Sequence, residues 1–250
     1  MKYKTRYWND KGQIEEGFVD TEQLDSIYKK PVFDKFTEST FLDNVKDHKM
    51  EVIRVDGVNR HIRFKKEGTL SYYFDLITWP GHLCIAGDMG TYVFKRLHDM
   101  FDFFKTDSQE KSSDTLGVNL SYWAEKLVAK GETEYKFSPD LFIQEISSIF
   151  SDYDFKSIEE AQDCFQQLTD DLIEMAVYDD GNFSDETLRQ AAIDFTHKSG
   201  FSLKSYFEEG FTYEYVYPYT WCCYAIAWGI KQFGLLTNRI DNKCVLYTES

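Results

Sequence analysis

Residues 71–96 read SYYFDLITWPGHLCIAGDMGTYVFKR, in which short apolar runs alternate with glycine and proline. β-Branched and aromatic residues bounded by such turn-forming residues are typical of β-strands. The pattern predicts strands at Ser71–Trp79, His82–Ala86 and Thr91–Arg96. The turns between them fall at Pro80-Gly81 and at Gly87-Asp88-Met89-Gly90, where we expect both glycines to adopt positive φ and Asp88 to cap the turn.

The residues before this stretch continue the same β pattern. From Met50 the residues alternate with a period of two, and Asp56-Gly57 is a hairpin signal that precedes a second run at Val58–Lys65. The whole region therefore predicts a meander of four or five antiparallel strands. The first 50 residues are more mixed, with short helices expected at Thr21–Tyr28 and Phe33–Asp47.

Beyond Arg96 the apolar residues recur with helical spacing. We predict helices at Leu97–Phe104, Ser121–Ala129, Pro139–Phe150, Ser157–Tyr178, Ser184–Lys198 and Tyr219–Phe233. The terminal run Asn242–Thr248 is predicted to be a strand that returns to the sheet. The expected fold is α+β, with an antiparallel meander packed with an acidic, mainly helical C-terminal part. The expected regions are 1–96, β-rich with short N-terminal helices, and 97–250, acidic and helical, or else one continuous domain.

The negative charge of the chain is concentrated in its middle. The formal net charge is −15, yet residues 1–96 hold 16 Lys/Arg and 15 Asp/Glu, whereas residues 97–200 hold 8 and 23. A protein that binds DNA or RNA needs a basic face to replace the counterions of the phosphates. The charge therefore disfavours direct nucleic-acid binding and an anionic membrane surface, and it favours a basic partner.

The predicted helix at Ser157–Tyr178 carries most of this interpretation. Ser157-Ile-Glu-Glu160 matches a capping box, and the apolar residues after it follow the spacing of one helical face. Glu159, Glu160, Asp163, Asp170, Asp171 and Glu174 fall on the opposite side, and Asp179 and Asp180 continue the row. Two interpretations remain open: an ordinary solvated helix face, or a row of carboxylates that meets Lys and Arg of a nucleic-acid-binding protein.

Several classes of protein are disfavoured by absent signals. The N-terminus has no apolar signal-peptide core, and the most apolar stretch, Val216–Ile230, is shorter than the roughly 20 residues of a membrane span. The five cysteines are irregularly spaced, with no CxxC and no Cys/His cluster. We therefore expect free thiols, a cytoplasmic location, and neither a metal nor another cofactor.

Two further groups of residues are candidate sites. His82, Cys84 and Asp88 can be drawn as base, nucleophile and orienting acid, although a tight β-meander explains the same residues without chemistry. Tyr213, Tyr215 and Tyr217 alternate along an aromatic run, which is typical either of an interface or of a sheet edge packed on a core.

The block Tyr73–Arg96, with its core WPGHLCIAGDMGTYVFKR and its continuation through Asp99–Phe104, resembles a block of a family of small proteins encoded by bacteriophages and other mobile elements. The resemblance supplies no catalytic residue that could be transferred to this chain. It implies a protein of a mobile element that acts in the bacterial cytoplasm, where many accessory genes encode inhibitors of host defence.

These observations lead to three hypotheses. The first is a non-enzymatic inhibitor whose acidic, nucleic-acid-mimicking surface binds a basic host protein or a ribonucleoprotein defence complex, such as a CRISPR effector or a restriction system. The second is an enzyme that modifies a host component with His82 and Asp88. The third is an oligomeric phage accessory protein. For the first, the partner-binding residues are the eight carboxylates from Glu159 to Asp180 named above, with Tyr213, Tyr215 and Tyr217.

Overall fold

The structure is a computed structural model that describes residues 2–9, 11–20, 36–109, 115–177, 184–208, 210 and 212–248. Its strands are β1 (Lys2–Trp8), β2 (Ile14–Asp20), β3 (Lys49–Asp56), β4 (Asn59–Lys65), β5 (Phe74–Trp79), β6 (His82–Gly87), β7 (Gly90–Lys95), β8 (Leu127–Lys130), β9 (Tyr135–Phe137), β10 (Asp154–Phe155) and β11 (Tyr213–Tyr215). Its helices are α1 (Glu38–Val45), α2 (Met100–Gln109), α3 (Leu120–Ala124), α4 (Pro139–Asp152), α5 (Ile158–Leu168), α6 (Glu174–Val177), α7 (Asp185–Asp194), α8 (Lys204–Phe207) and α9 (Tyr217–Thr248). A π-helical turn, Thr169–Ile173, connects α5 to α6.

Backbone contacts divide the chain into two units, each made of two separate segments. Unit 1 comprises Met1–Phe33 and Phe137–Glu214, and unit 2 comprises Asp34–Lys136 and Tyr215–Ser250. Unit 1 holds 10 Lys/Arg and 24 Asp/Glu, whereas unit 2 holds 18 and 19. The net charge is therefore −14 for unit 1 and −1 for unit 2. The composition boundary at residues 96 and 97 lies inside unit 2 and does not coincide with a boundary between the units.

Unit 2 is built on a six-stranded antiparallel sheet in the order β3-β4-β5-β6-β7-β8. Each strand pairs with the next along the chain, which confirms the predicted meander and the α+β class. The sixth strand corrects the predicted helix at Ser121–Ala129, because α3 ends at Ala124 and β8 then pairs with β7. The free backbone edge of β7 offers hydrogen-bond partners that local helix propensity does not reveal.

The tight turns of this sheet rest on glycines with left-handed backbone angles. Gly57, Gly81 and Gly90 have φ of 57°, 79° and 100°, as the turn positions require. Gly87 does not have positive φ, so that prediction is wrong. It must be glycine for a different reason, since a Cβ at this position would collide with the backbone carbonyl oxygen of Tyr73.

The core of unit 2 lies between one face of the sheet and α9. Phe64 and Phe74 stack at 4.8 Å between ring centroids, and Trp228 of α9 packs edge-on against Phe64 at 5.3 Å. Trp221 packs edge-on against Phe74 at 5.6 Å. The long apolar run near the C-terminus is thus a buried helix, as its composition predicts.

Two predictions near the chain ends have different outcomes. Asn242–Thr248 is not a returning strand but the end of α9, because the chain continues the helix that begins at Tyr217. The described part of the predicted helix at Phe33–Asp47 contains α1, which spans Glu38–Val45 with Thr37 as its N-cap, and residues 33–35 lie outside the described residues. The predicted helix at Thr21–Tyr28 lies outside the described residues.

Unit 1 combines a small sheet with α4 through α8. Strand β1 pairs antiparallel with β2 and parallel with β10, with Arg6 opposite Asp154. Its core joins aromatic and aliphatic residues of the helices, with Phe142, Phe150, Phe165, Leu168 and Phe207 among its buried members. The boundaries between the two units fall within β9 and β11, which together form a two-stranded sheet.

Candidate functional site

The acidic helical segment begins as its sequence predicts. Ser157 is the N-cap, and its Oγ accepts the amide hydrogen of Glu160 at 3.3 Å. The carboxylate of Glu160 reaches back and accepts from the amide of Lys156 at 2.8 Å. This reciprocal pair satisfies two amide groups at the start of α5 and fixes where the helix begins.

The segment is not one regular α-helix. At Thr169–Ile173 it widens into a π-turn, where the Thr169 hydroxyl donates to the carbonyl oxygen of Phe165 at 2.9 Å. Leu172 and Ile173, which are consecutive, are both buried. The extra residue in this turn rotates the following residues around the helix axis. The single helical spacing predicted for Ser157–Tyr178 therefore holds only as far as Leu168.

Most of the predicted carboxylates point into solvent. We call Glu159, Glu160, Asp163, Asp170, Asp171 and Glu174 the acidic row. Glu160 is half-buried, and the other five are exposed. Asp179 and Asp180 lie outside the described residues. The structure therefore places the described acidic row where a partner could reach it.

The charge of the acidic row is largely uncompensated. Gln166 donates to Asp170 at 2.8 Å and Gln167 donates to Asp171 at 3.1 Å, which orients both carboxylates without neutralising them. Among the described residues, the ion pairs of the row involve only Asp163. The pKa of Glu159 is lowered by a backbone amide and by the Ser157 hydroxyl, which keeps this carboxyl ionised.

Asp163 differs from its neighbours because basic residues far along the chain contact it. Lys198 Nζ lies 2.7 Å from Asp163 Oδ2, and Nε2 of His197 lies 3.0 Å from the same oxygen. Lys198 first and His197 second lower the pKa of Asp163. One carboxylate of the predicted row is therefore structural rather than available.

The same contact contains a serine that spacing alone did not reveal. Nδ1 of His197 lies 2.8 Å from Oγ of Ser199, so serine, imidazole and carboxylate follow one another in the order of a nucleophile, its base and an orienting acid. However, Ser199 Oγ also accepts the amide hydrogen of Phe201 at 3.3 Å, and the Ser199 amide donates to Nδ1 of His197 at 3.2 Å. These bonds close the loop at residues 196–202, which explains the group without catalysis.

The three candidate tyrosines do not form one platform. Tyr213 and Tyr215 belong to β11, whereas Tyr217 is the first residue of α9. Tyr215 packs against Tyr219 at 5.5 Å, and Tyr217 lies edge-on to Phe36 at 4.8 Å between ring centroids. Tyr213 and Tyr217 remain exposed, but the first belongs to unit 1 and the second to unit 2.

The structure separates the residues of the alternative catalytic site. His82 is the first residue of β6 and Asp88 follows its last residue, so the two are about 20 Å apart at the rise of a β-strand. His82 stacks on Trp79 at 4.9 Å, and Asp88 accepts the amide hydrogen of Tyr72 at 2.7 Å. Burial raises the pKa of the Cys84 thiol, which opposes its activation as a nucleophile.

In the part of the chain that the structure describes, no group of three His, Cys, Asp or Glu side chains could hold a metal ion. Within the same residues, no helix has both the length and the apolar character that crossing a bilayer demands. Comparison with models of protein families, with curated proteins and with solved structures gives no match to this chain.

Proposed function

We propose that this protein is a binding protein whose acidic row engages a basic, nucleic-acid-binding surface, and that it thereby inhibits a bacterial defence complex such as a CRISPR effector or a restriction system. The single observation that carries the proposal is the segregation of charge. Unit 1 holds 24 acidic and 10 basic residues, whereas unit 2 is nearly balanced.

The arrangement of the acidic row supports this mode of binding. From Glu159 to Glu174 the helical rise of about 1.5 Å per residue spreads the carboxylates over roughly 22 Å. Nucleic-acid-binding channels present Lys and Arg to phosphates that follow one another at about 3.4 Å along each strand. Asp170 and Asp171 are each held by a hydrogen bond from a glutamine side chain. Their carboxylates can therefore meet those cations without first changing their own conformation.

A basic partner would also reduce the electrostatic repulsion among the carboxylates of the acidic row. Like charges close together on a helix destabilise it by a few tenths of a kcal/mol per pair. Within the described residues, Lys198 is the only lysine whose ammonium group pairs with the acidic row. Complementary charge on a partner would relieve the repulsion and speed association, and salt would weaken the contact.

The bacterial cytoplasm and a mobile-element origin belong to the same proposal. They rest on the resemblance of Tyr73–Arg96 and its continuation to proteins of phages and mobile elements. Unit 2, which contains this block, would then serve as the scaffold of the protein, and unit 1 would carry the charged binding surface.

The test is inhibition of DNA cleavage by purified defence complexes, a CRISPR effector and a restriction enzyme, measured against the concentration of this protein and of salt. The test variant replaces Glu159, Asp170, Asp171 and Glu174 with Lys. The matched control replaces Asp43, Glu67, Glu125 and Glu132, four exposed carboxylates of unit 2, with Lys. Both variants change the net charge equally, so only the position of the charge differs.

We expect the test variant to lose inhibition by at least about tenfold while the control keeps it, since close charge pairs dominate such interfaces. We also expect an excess of the DNA substrate to compete with the protein for the complex. Equal loss in both variants would mean that inhibition depends only on the net charge of the protein. Unchanged inhibition in the test variant would mean that the acidic row is not part of the interface.

A further inference from the structure

Strand β3 forms one edge of the sheet in unit 2 and exposes three β-branched apolar side chains. It spans Lys49–Asp56, and in the described residues it pairs only with β4. Val52, Ile53 and Val55 are 42%, 45% and 49% exposed. Proteins usually shorten or cover such edges, because alternate residues direct unpaired amide and carbonyl groups outward and can pair with another strand.

A bulge determines which face of the sheet each β3 residue occupies. Val52 lies opposite Ile62 and Arg54 lies opposite His61, so Ile53 is an additional residue between them. Ile62 is buried on the packed face, whereas His61 is half-exposed on the other. The residues after Ile53 are therefore shifted by one position relative to the alternation before it.

The faces of the remaining residues follow from their partners on β4. Met50 lies opposite the buried Phe64, and Val55 lies opposite Arg60, which faces the packed side. The charged residues of β3 all lie on the outer face: Lys49, Glu51, Arg54 and Asp56. In chain order, this outer row is basic, acidic, basic, acidic.

That order makes the strand complementary to itself when reversed. We propose that β3 pairs antiparallel with β3 of a second copy of this chain, in a symmetric dimer that continues the sheet. Lys49 then lies opposite Asp56 of the other copy, and Glu51 lies opposite Arg54. Each copy makes both contacts, so the symmetric pair contains four opposite-charge pairs on one face.

The bulge fits the same alignment rather than opposing it. Between the Glu51 and Arg54 pairs, each strand contributes the two residues Val52 and Ile53, so the additional residue of one copy is matched by that of the other. Met50 then lies opposite Val55 on the packed face, as a symmetric antiparallel pair requires. Without the bulge the charged residues of the two copies would fall on opposite faces.

The charged groups are available for this exchange. Arg54 now pairs with Asp56 of its own strand at 3.3 Å, and Lys49 pairs with Glu67 at 2.8 Å. Glu51 lies 3.8 Å from Nζ of Lys65 and is 56% exposed, and the side chains of the other two pairs are at least 66% exposed. These ion pairs therefore contribute little to folding and can be exchanged for pairs with a partner. A contact limited to one strand from each copy is small, and we expect a weak dimer that depends on protein concentration.

This inference does not depend on the function of the acidic row. It concerns a strand of unit 2, and it is tested without any defence complex. Sedimentation velocity from low micromolar to millimolar concentration measures the dimer for the wild type, for Glu51→Arg and for Arg54→Glu. Circular dichroism checks that each variant is folded.

Each single variant places like charges opposite each other twice, and we expect its dimer to weaken by about tenfold or more. An equimolar mixture of the two variants is the decisive sample. One chain is then basic at both positions 51 and 54 and the other is acidic at both, so every facing pair again has opposite charges. We expect the mixture to dimerise about as well as the wild type. Should either variant fail to fold, Lys49→Asp and Asp56→Lys form an equivalent pair.

Three results would overturn the proposal. The first is a wild-type protein that stays monomeric throughout the concentration range. The bulge and the charges of β3 would then serve to prevent this strand from pairing with another chain. The second is a dimer that both single variants form unchanged, which would place the contact on another surface. The third is a mixture that remains as monomeric as its two components.

Discussion

The Asp163 carboxylate lies 3.0 Å from Nε2 of His197, a residue that is only 3% exposed and comes 34 positions later in the chain. Through this contact the loop at residues 196–202 is attached to α5. The same carboxylate oxygen also lies 2.7 Å from Nζ of Lys198. A residue predicted from its charge to meet a partner thus stabilises unit 1 itself.

Replacing His197 with Ala tests this role. The substitution removes a buried ring together with its hydrogen bonds to Ser199 Oγ and Asp163, so we expect a loss of about 2 kcal/mol in the free energy of unfolding. Urea denaturation followed by fluorescence measures it. His82→Ala is the control, since His82 is half-exposed and, among the described residues, its one hydrogen bond is to the Pro80 carbonyl oxygen. An equal effect of both substitutions would contradict the anchoring role.

Ser199 is expected to be chemically unreactive. Its hydroxyl oxygen accepts the Phe201 amide hydrogen, and its position two residues after His197 closes a tight loop. We therefore expect a fluorophosphonate probe to leave Ser199 unmodified, as judged by mass spectrometry of the intact and digested protein. A stoichiometric adduct on Ser199 that disappears in His197→Ala would show an activated nucleophile instead.

Gly87→Ala is expected to disrupt the sheet of unit 2. The new Cβ would collide with the backbone carbonyl of Tyr73, which cannot move without displacing β5, and we expect a loss of about 3 kcal/mol. Gly131→Ala is the control, because its Cβ would meet only ordinary contacts, the nearest 3.7 Å from the Thr91 carbonyl oxygen. Thermal unfolding monitored by circular dichroism separates the two. Similar melting temperatures of Gly87→Ala and Gly131→Ala would show that β5 can move aside at little cost in stability.

Asp75 makes the stability of unit 2 sensitive to acid. Burial alone would raise its pKa, but hydrogen bonds from Arg63 at 2.7 and 2.8 Å and from His61 at 3.1 Å outweigh burial and lower it. The stabilisation is therefore complete above the ordinary pKa of an aspartate, and it is lost as the pH falls through the lowered value. We expect Asp75→Asn to cost about 2 kcal/mol at neutral pH.

The measurement is urea unfolding of the wild type and Asp75→Asn between pH 7 and pH 2. The difference between the two proteins should shrink as the pH falls, because protonation removes the same charge that the substitution removes. A difference that stays constant over this range would mean that the Asp75 charge does not stabilise the fold.

Parts of the candidate site were predictable because they depend on neighbouring residues. The Ser157 cap, the exposure of Glu159 and Asp170, and the burial of Leu168 follow from a capping motif and helical spacing. The contacts of Asp163 with His197 and Lys198 were not predictable. These two residues lie more than 30 positions after α5 begins, and nothing in the local sequence indicates that they contact it. The π-turn was equally hidden, because it depends on burying Leu172 and Ile173 together.

By itself, the amino-acid sequence determined the strands and turns from Lys49 to Lys95, the helix cap at Ser157, the buried helix at the C-terminus and the distribution of charge along the chain. Each of these depends on residues close together in the chain. Only the tertiary structure decided that Leu127–Lys130 is a strand, that Gly87 is needed for close approach, and that the acidic segment Phe137–Glu214 belongs to one unit with the distant segment Met1–Phe33. The physical reason is that a free sheet edge, a backbone collision or an ion pair exists only once distant segments have been brought together.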